Sequence, residues 1–292
     1  MIQKYLSMYK KNLGIVLTIF IFIFFITSFL FQDRISHSSM DYGLEKDGVV
    51  IIPTVLQPYE IDELKQKCIR GNYKEMKTFL INHPTLKTEC FKKTGNGYIF
   101  QDYFYIIKKS MIHTCHRDNN GHFFNTDQKH PSYTALIYLE PMKKCLGVIP
   151  KSHLKKNAFD FNITDQVINL PCQPGDVILF NANIIHVGSM NETDNNLRCQ
   201  MKITHRDDID VLGYYQNFNK VLNQENTLPG FIRHIQKRGS CALPILSNLT
   251  QNEGIRTVRG NENGSIKIGI FQKTFSYLFY GNKDFYDLPN AF

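Results

Sequence analysis

The sequence predicts a mainly β protein, a sandwich or jelly roll with flanking helices, set behind an amino-terminal transmembrane helix. Three observations lead there. Short β-branched and aromatic runs recur through the middle of the chain, and clusters of Gly, Pro, Asn and Asp separate them. Few long helical patterns interrupt these runs. Near the amino terminus, Leu13 to Phe31 reads LGIVLTIFIFIFFITSFLF, without charge or proline.

That first run has the length a helix needs to cross roughly 30 Å of hydrocarbon at about 1.5 Å per residue. Lys4, Lys10 and Lys11 precede it and a mixed-charge stretch from Asp33 to Asp47 follows. The positive-inside rule then places the tail in the cytosol and the remainder in the lumen or outside the cell. No small-x-small cleavage site follows cleanly, and the run exceeds an ordinary signal-peptide core, so a retained signal anchor is expected. Sequons beginning at Asn162, Asn191, Asn248 and Asn263 would accept glycans on that side.

After a polar stem over 32–44, EKDGVVIIPTVLQPYEIDELKQK predicts a strand at Val49–Ile52, a Pro-marked turn, and an amphipathic helix after Pro58. Strand character follows over 98–116, 133–139, 145–150, 177–180 and 197–204. In the last of these, Leu197, Cys199, Met201 and Ile203 alternate with Arg198, Gln200, Lys202 and Thr204, so one face is polar. That face meets either solvent or a polar cavity. The organisation read from these features is a tail over 1–12, an anchor over 13–31, the stem, a β domain over 45–207, and an aromatic-rich extension over 208–292 that packs on the roll.

Composition narrows the function. The formal charge of +8 belongs partly to the tail, and no basic run is interleaved with aromatics, which disfavours nucleic-acid binding. The seven cysteines show no C-x-x-C pair and no zinc-ligand spacing; most read as buried thiols, and the odd count imposes no disulfide framework.

The chemistry-bearing motif is His116-Arg117-Asp118, followed by His186 in GDVILFNANIIHVG and by Arg198. Two imidazoles and a carboxylate on one face suit octahedral Fe(II) while leaving positions for other ligands. Residues i and i+2 of an extended chain point the same way, so H-x-D supplies two donors at once. A second triplet, His205-Arg206-Asp207, lacks a downstream strand with a distal histidine; His234 and Arg238 lie in a helical pattern, so it reads as a solvated strand end. His113, His122 and His130 read as loop histidines, and His37, His83 and His153 need no metal.

Four blocks in order, LEKDGVVIIPTVLQPYEIDELK, CHRDNN, YTALIYLEPMKKCLGVIPKSH and PGDVILFNANIIHVGSMNETDNNLR, resemble the phytanoyl-CoA dioxygenase-like family over about residues 44–206. The resemblance implies a double-stranded β-helix (a cupin-like jelly roll) in which the H-x-D strand and the distal-His strand lie side by side. It implies an Fe(II)- and 2-oxoglutarate-dependent dioxygenase consuming O2, with His116, Asp118 and His186 as catalytic iron ligands. Arg198 would hold the distal carboxylate of 2-oxoglutarate, and Ser189 and Tyr133 match positions that touch the co-substrate. Tyr133 replaces a frequent tryptophan, Lys143-Lys144 replaces an Asn-Gly turn, and Lys151 replaces a glycine. The intact aspartate favours hydroxylation of an aliphatic C–H bond, with release of succinate and CO2, over halogenation. The rival readings are an inactive jelly-roll binding module and a structural membrane protein. A lumenal domain favours a lipid, a glycan or a secretory polypeptide as substrate over a cytosolic CoA ester.

Overall fold

In the computed structural model, the described residues are chiefly 41–109, 114–158, 165–188, 195–223 and 228–242, together with Asp33–Ile35, 290–292 and scattered single positions. The expected anchor falls largely outside them. Within it Ile15, Thr18, Ile19, Ile21, Phe22, Ile23 and Ile26 are helical, and among the described residues no helix is long and apolar enough to cross a membrane.

Two sheets face each other. Strands β1 (Asp33–Ile35), β2 (Val49–Ile52), β3 (Tyr98–Lys109), β4 (Tyr133–Tyr138), β5 (Met142–Ile149), β6 (Val167–Cys172), β7 (Val177–Asn181), β8 (Ile185–Gly188), β9 (Asn195–His205) and β10 (Phe218–Asn223) divide between them. The large sheet has the order β10-β3-β9-β4-β7-β2, and the small sheet β1-β6-β5-β8. Pairing is antiparallel except at the edges, where β10 joins β3 and β1 joins β6 in parallel. The architecture is a mainly β sandwich consistent with a jelly roll, as the spacing of the strands predicts.

Helices cover the outer face of the large sheet. Helix α1 (Leu44–Asp47) is one short turn, and α2 (Pro58–Arg70) begins on a capping box between Gln57 and Glu60 and ends at Gly71, whose φ of 77° is left-handed. Helices α3 (Tyr73–Asn82) and α4 (Pro84–Thr94) follow at once, α4 capped by the His83 ring, which accepts from Leu86 N at 3.1 Å. The sequence reading foresees α2 but not α3 and α4. Leu64, Met76, Leu80 and Leu86 from these helices are fully buried against Phe104, Ile106, Ile137, Leu179, Cys199, Met201 and Ile203. Each such side chain contributes about 1.5–3 kcal/mol.

A second core, including Val49, Leu136, Leu146, Val148, Leu170, Ile178 and Phe180, fills the space between the sheets. Cys145 and Cys172 are disulfide-bonded there, between β5 and β6, and Cys115 is disulfide-bonded as well. Cys68, Cys90 and Cys199 remain buried thiols. The expectation of plain thiols therefore fails for three positions; Cys145 and Cys172 come together only through the pairing of β5 with β6. Beyond β9, Tyr215 and Phe218 pack on Tyr103, Phe218 stacking at 4.5 Å, and α5 (Gly230–Ala242) follows; most of 243–289 lies outside the described residues.

Candidate metal centre

The small sheet is extended at β8 by a backbone bridge. His116 N donates to His186 O, and His186 N to His116 O, each at 2.9 Å. The chain then turns so that Asp118 N reaches Ala182 O at 2.9 Å. These bonds bring His186 to His116 and Asp118, which are two residues apart in sequence. Asp118 Oδ1 lies 4.0 Å from His116 Nε2 and 3.7 Å from His186 Nε2, and the two imidazole centroids are 4.3 Å apart.

Each histidine has one nitrogen committed elsewhere. His116 Nδ1 faces Thr114 O at 2.9 Å, and His186 Nδ1 faces Ile184 O at 3.1 Å. A carbonyl only accepts, so each Nδ1 carries the proton and each Nε2 presents a lone pair toward Asp118. Burial holds the His186 pKa down, against the pull of Asp118, which favours the neutral ligating form.

The carboxylate is similarly oriented. Asp118 Oδ2 accepts from Thr134 Oγ1 at 2.7 Å and from the Lys202 ammonium, which also donates to Thr134 Oγ1 at 2.8 Å. Oδ1 is left facing the imidazoles. Burial alone would raise the Asp118 pKa, but the Lys202 charge, the two histidines and the hydrogen bond from Lys202 outweigh it and hold the carboxyl well below its usual range. Neither Lys202 nor Thr134 is singled out by sequence. The available signal was the alternation of β9, which puts Lys202 on the face of Arg198.

That face is the inner one. Cys199, Met201 and Ile203 enter the helix-covered core, while Arg198, Lys202 and Thr204 are buried on the other side. Arg198 lies with its Cζ 5.9 Å from the Tyr138 ring, and burial lowers its pKa against the opposing influence of the Tyr138 and Tyr105 hydroxyls.

One sequence expectation is corrected here. Tyr133 is on the opposite face of β4 from Thr134, packed on Tyr98 at 5.4 Å in the helix-covered core, so strand alternation turns it away from the donors. Arg117, between His116 and Asp118, is fully buried; its guanidinium donates to the carbonyls of Ser152 (2.8 Å), Ala158 (3.3 Å), Asp160 (3.1 Å) and Asn183. Burial pulls its pKa down to about 10, though Asp160 and Asp165 oppose this. Ser189 lies outside the described residues.

Residues 80–199, which hold all three donors and Arg198, match the family described as phytanoyl-CoA dioxygenase (PhyH). That match spans less than half of the chain. Among solved structures, the chain is similar to the non-heme alpha ketoglutarate dependent epimerase SnoN from nogalamycin biosynthesis, with 17% identity, 56% of this chain and 80% of that one covered, and a TM-score of 0.47. It is also similar to HygX from Streptomyces hygroscopicus with nickel and 2-oxoglutarate bound, with 14% identity, coverage of 56% and 84%, and a TM-score of 0.46. The corresponding values for the carbocyclase SnoK from nogalamycin biosynthesis are 15%, 58%, 84% and 0.39. No curated protein matches the chain significantly.

Proposed function

We propose that the chain is an Fe(II)- and 2-oxoglutarate-dependent dioxygenase that hydroxylates an aliphatic C–H bond, releasing succinate and CO2. The observation that carries this reading is the convergence of His116 Nε2, His186 Nε2 and Asp118 Oδ1, with both Nδ1 atoms and Oδ2 already engaged. Two neutral imidazoles and one carboxylate on one side are the donor set that octahedral non-haem iron takes. When bound, the iron supplies the oxidising chemistry with O2 and the keto acid.

The protein's own contribution is orientation and exclusion of water. Thr114 and Ile184 fix the two rings, Thr134 and Lys202 fix the carboxylate, and Phe180 packs on the His186 ring at 4.6 Å. Arg198 would hold the distal carboxylate of 2-oxoglutarate, for which a guanidinium fork is the best match. Anaerobically iron-loaded protein should turn 2-oxoglutarate into succinate on admission of O2, and a co-incubated substrate should gain one oxygen atom. Absence of succinate from folded, iron-loaded protein with every candidate substrate class would overturn the reading.

The same proposal places the domain on the lumenal or extracellular side of a membrane, held by 13–31 with the tail cytosolic. The lysine bias of the tail supports it, as do the disulfide at Cys145–Cys172 and the bonded Cys115, since such bonds persist in oxidising compartments. A lipid, a glycan or a secretory polypeptide is then the favoured substrate class. Expression through a eukaryotic secretory pathway should give a band that glycosidase shifts; protease access to the domain from the cytosolic side, with no glycan at any sequon, would refute the topology.

A further inference from the structure

The sequence sets a polar stem between the expected anchor and the domain, yet the fold begins almost at once. Asp33, two residues past the end of that anchor at Phe31, opens β1, which pairs in parallel with β6. One rung then crosses the whole small sheet: Arg34 pairs with Ile168, Ile168 with Val148, Val148 with His186, and His186 with His116. The backbone of both histidine donors is thus level with the second residue of β1. Three residues from Phe31 to Arg34 span at most about 11 Å, and four strand-to-strand steps of about 4.8 Å add about 19 Å. Whatever the tilt of the sheet, the His116 backbone stands within about 30 Å of the end of the anchor.

The strand directions identify which end of the roll this is. β6 runs the same way as β1 and β5 the opposite way, so β5 ends where β1 begins. The chain through His116 runs against β8, which carries Asp118 and the loop after it toward the same end. The turn leaving β5 there is fixed from within: Arg117 donates to the carbonyls of Ser152, Ala158 and Asp160, and Ser152 Oγ accepts from Ile185 N at 2.8 Å. On its outside, Leu154 is 63% exposed among Lys151, Lys155 and Lys156, of which the first and last are exposed. An exposed leucine set among lysines suits the boundary where acyl chains meet headgroup phosphates.

We propose that the metal-bearing end of the roll rests on the bilayer through the turn over 150–156, and that the substrate is a membrane lipid taken up from that surface. This rests on the anchor and oxygenase readings above. A site held against the bilayer is turned away from glycans and polypeptides free in the lumen, whereas a lipid has only to rise out of the headgroup layer to reach it.

The test uses full-length protein in vesicles of phosphatidylcholine and phosphatidylserine, spin-labelled at Leu154→Cys or at Gln173→Cys, the latter an exposed position just past the opposite end of β6. Flotation with the vesicles reports the anchor by itself; protein left in solution would overturn the anchor and this proposal with it. In protein that floats, the label at 154 should be open to dissolved O2 and shielded from a water-soluble nickel relaxant, and the label at 173 the reverse. Two equally aqueous labels overturn the docking. In vesicles of total membrane lipid extract with Fe(II), 2-oxoglutarate and O2, a lipid should gain one oxygen atom, read by mass spectrometry. A helical spacer inserted between Gln32 and Asp33, adding about 1.5 Å per residue, should cut that product about tenfold while leaving lipid-independent succinate formation unchanged. Equal lipid product with and without the spacer overturns the proposal. Succinate with no oxygenated lipid also overturns it, and leaves the oxygenase reading standing.

Discussion

Lys202→Met removes the ammonium that holds Asp118 Oδ2 while keeping most of the side chain's volume. Lys202 is 1% exposed and the Asp118 side chain 11% exposed, so solvent cannot replace the lost partner. Breaking one side of a buried pair costs about 3–5 kcal/mol, because the remaining charge is stranded. For a domain of this size each kcal/mol moves the melting temperature by about 2–4 °C, so the metal-free variant should melt about 6–20 °C below wild type. A divalent cation at Asp118 Oδ1 supplies a counter-charge of its own, so the loss should be smaller in protein loaded with Mn(II) or Ni(II). The metal-induced rise in melting temperature should therefore be larger in the variant than in wild type. Scanning calorimetry of both proteins, with chelator and with metal, measures all four values. A metal-free variant that melts within about 2 °C of wild type, or one whose deficit is the same with and without metal, would show that Lys202 does not neutralise Asp118 in the folded protein.

The donor assignment predicts that His116→Ala, Asp118→Ala and His186→Ala each abolish O2-dependent succinate formation while His205→Ala retains it, measured by succinate release. Arg198→Ala should weaken apparent 2-oxoglutarate affinity by roughly one and a half to more than three orders of magnitude, from a cost of about 2–5 kcal/mol for truncating a buried charge pair, with iron binding little changed. Arg198→Lys should lose less, and exposed Arg206→Ala nothing, by co-substrate titration. Replacing Cys145 and Cys172 by alanine should cost about 3–4 kcal/mol, the chain-entropy value for a loop closed over a separation of 27 residues, read from denaturant melts. Lys151 has a left-handed φ of 66° where the family commonly has glycine, so Lys151→Gly should stabilise the protein by about 1 kcal/mol in the same melts.

Local patterns revealed what depends on local patterns. The β-branched run at Val49–Ile52, the helix after Pro58 and the two-faced alternation of β9 all follow from residues within a few positions of one another. The helices α3 and α4 were missed because their amphipathicity is mixed with lysines and aromatics in short stretches. Alternation also left open whether the polar face of β9 meets water; its burial against β4 and Asp118 is a property of the closed sandwich. Arg117 shows the same limit most plainly. Its acceptors come from 152, 158, 160 and 183, so nothing near it in sequence distinguishes it from a surface arginine.

The candidate metal donors and the basic residues belong to opposite layers. His116 and His186 hang from the edge of the small sheet, while Lys202 and Arg198 rise from β9 in the middle of the large one. The contact between Asp118 and Lys202 is thus a rivet through the sandwich, and the distance from the metal donors to Arg198 is set by how far apart the layers stand. Leu136 and Ile178 on one side and Leu146 and Leu170 on the other act as the spacers. Trimming a spacer, for example Leu170→Val, leaves every polar group in place yet changes the gauge of the cleft, so affinity for a ligand spanning it would drift while affinity for the metal alone would not.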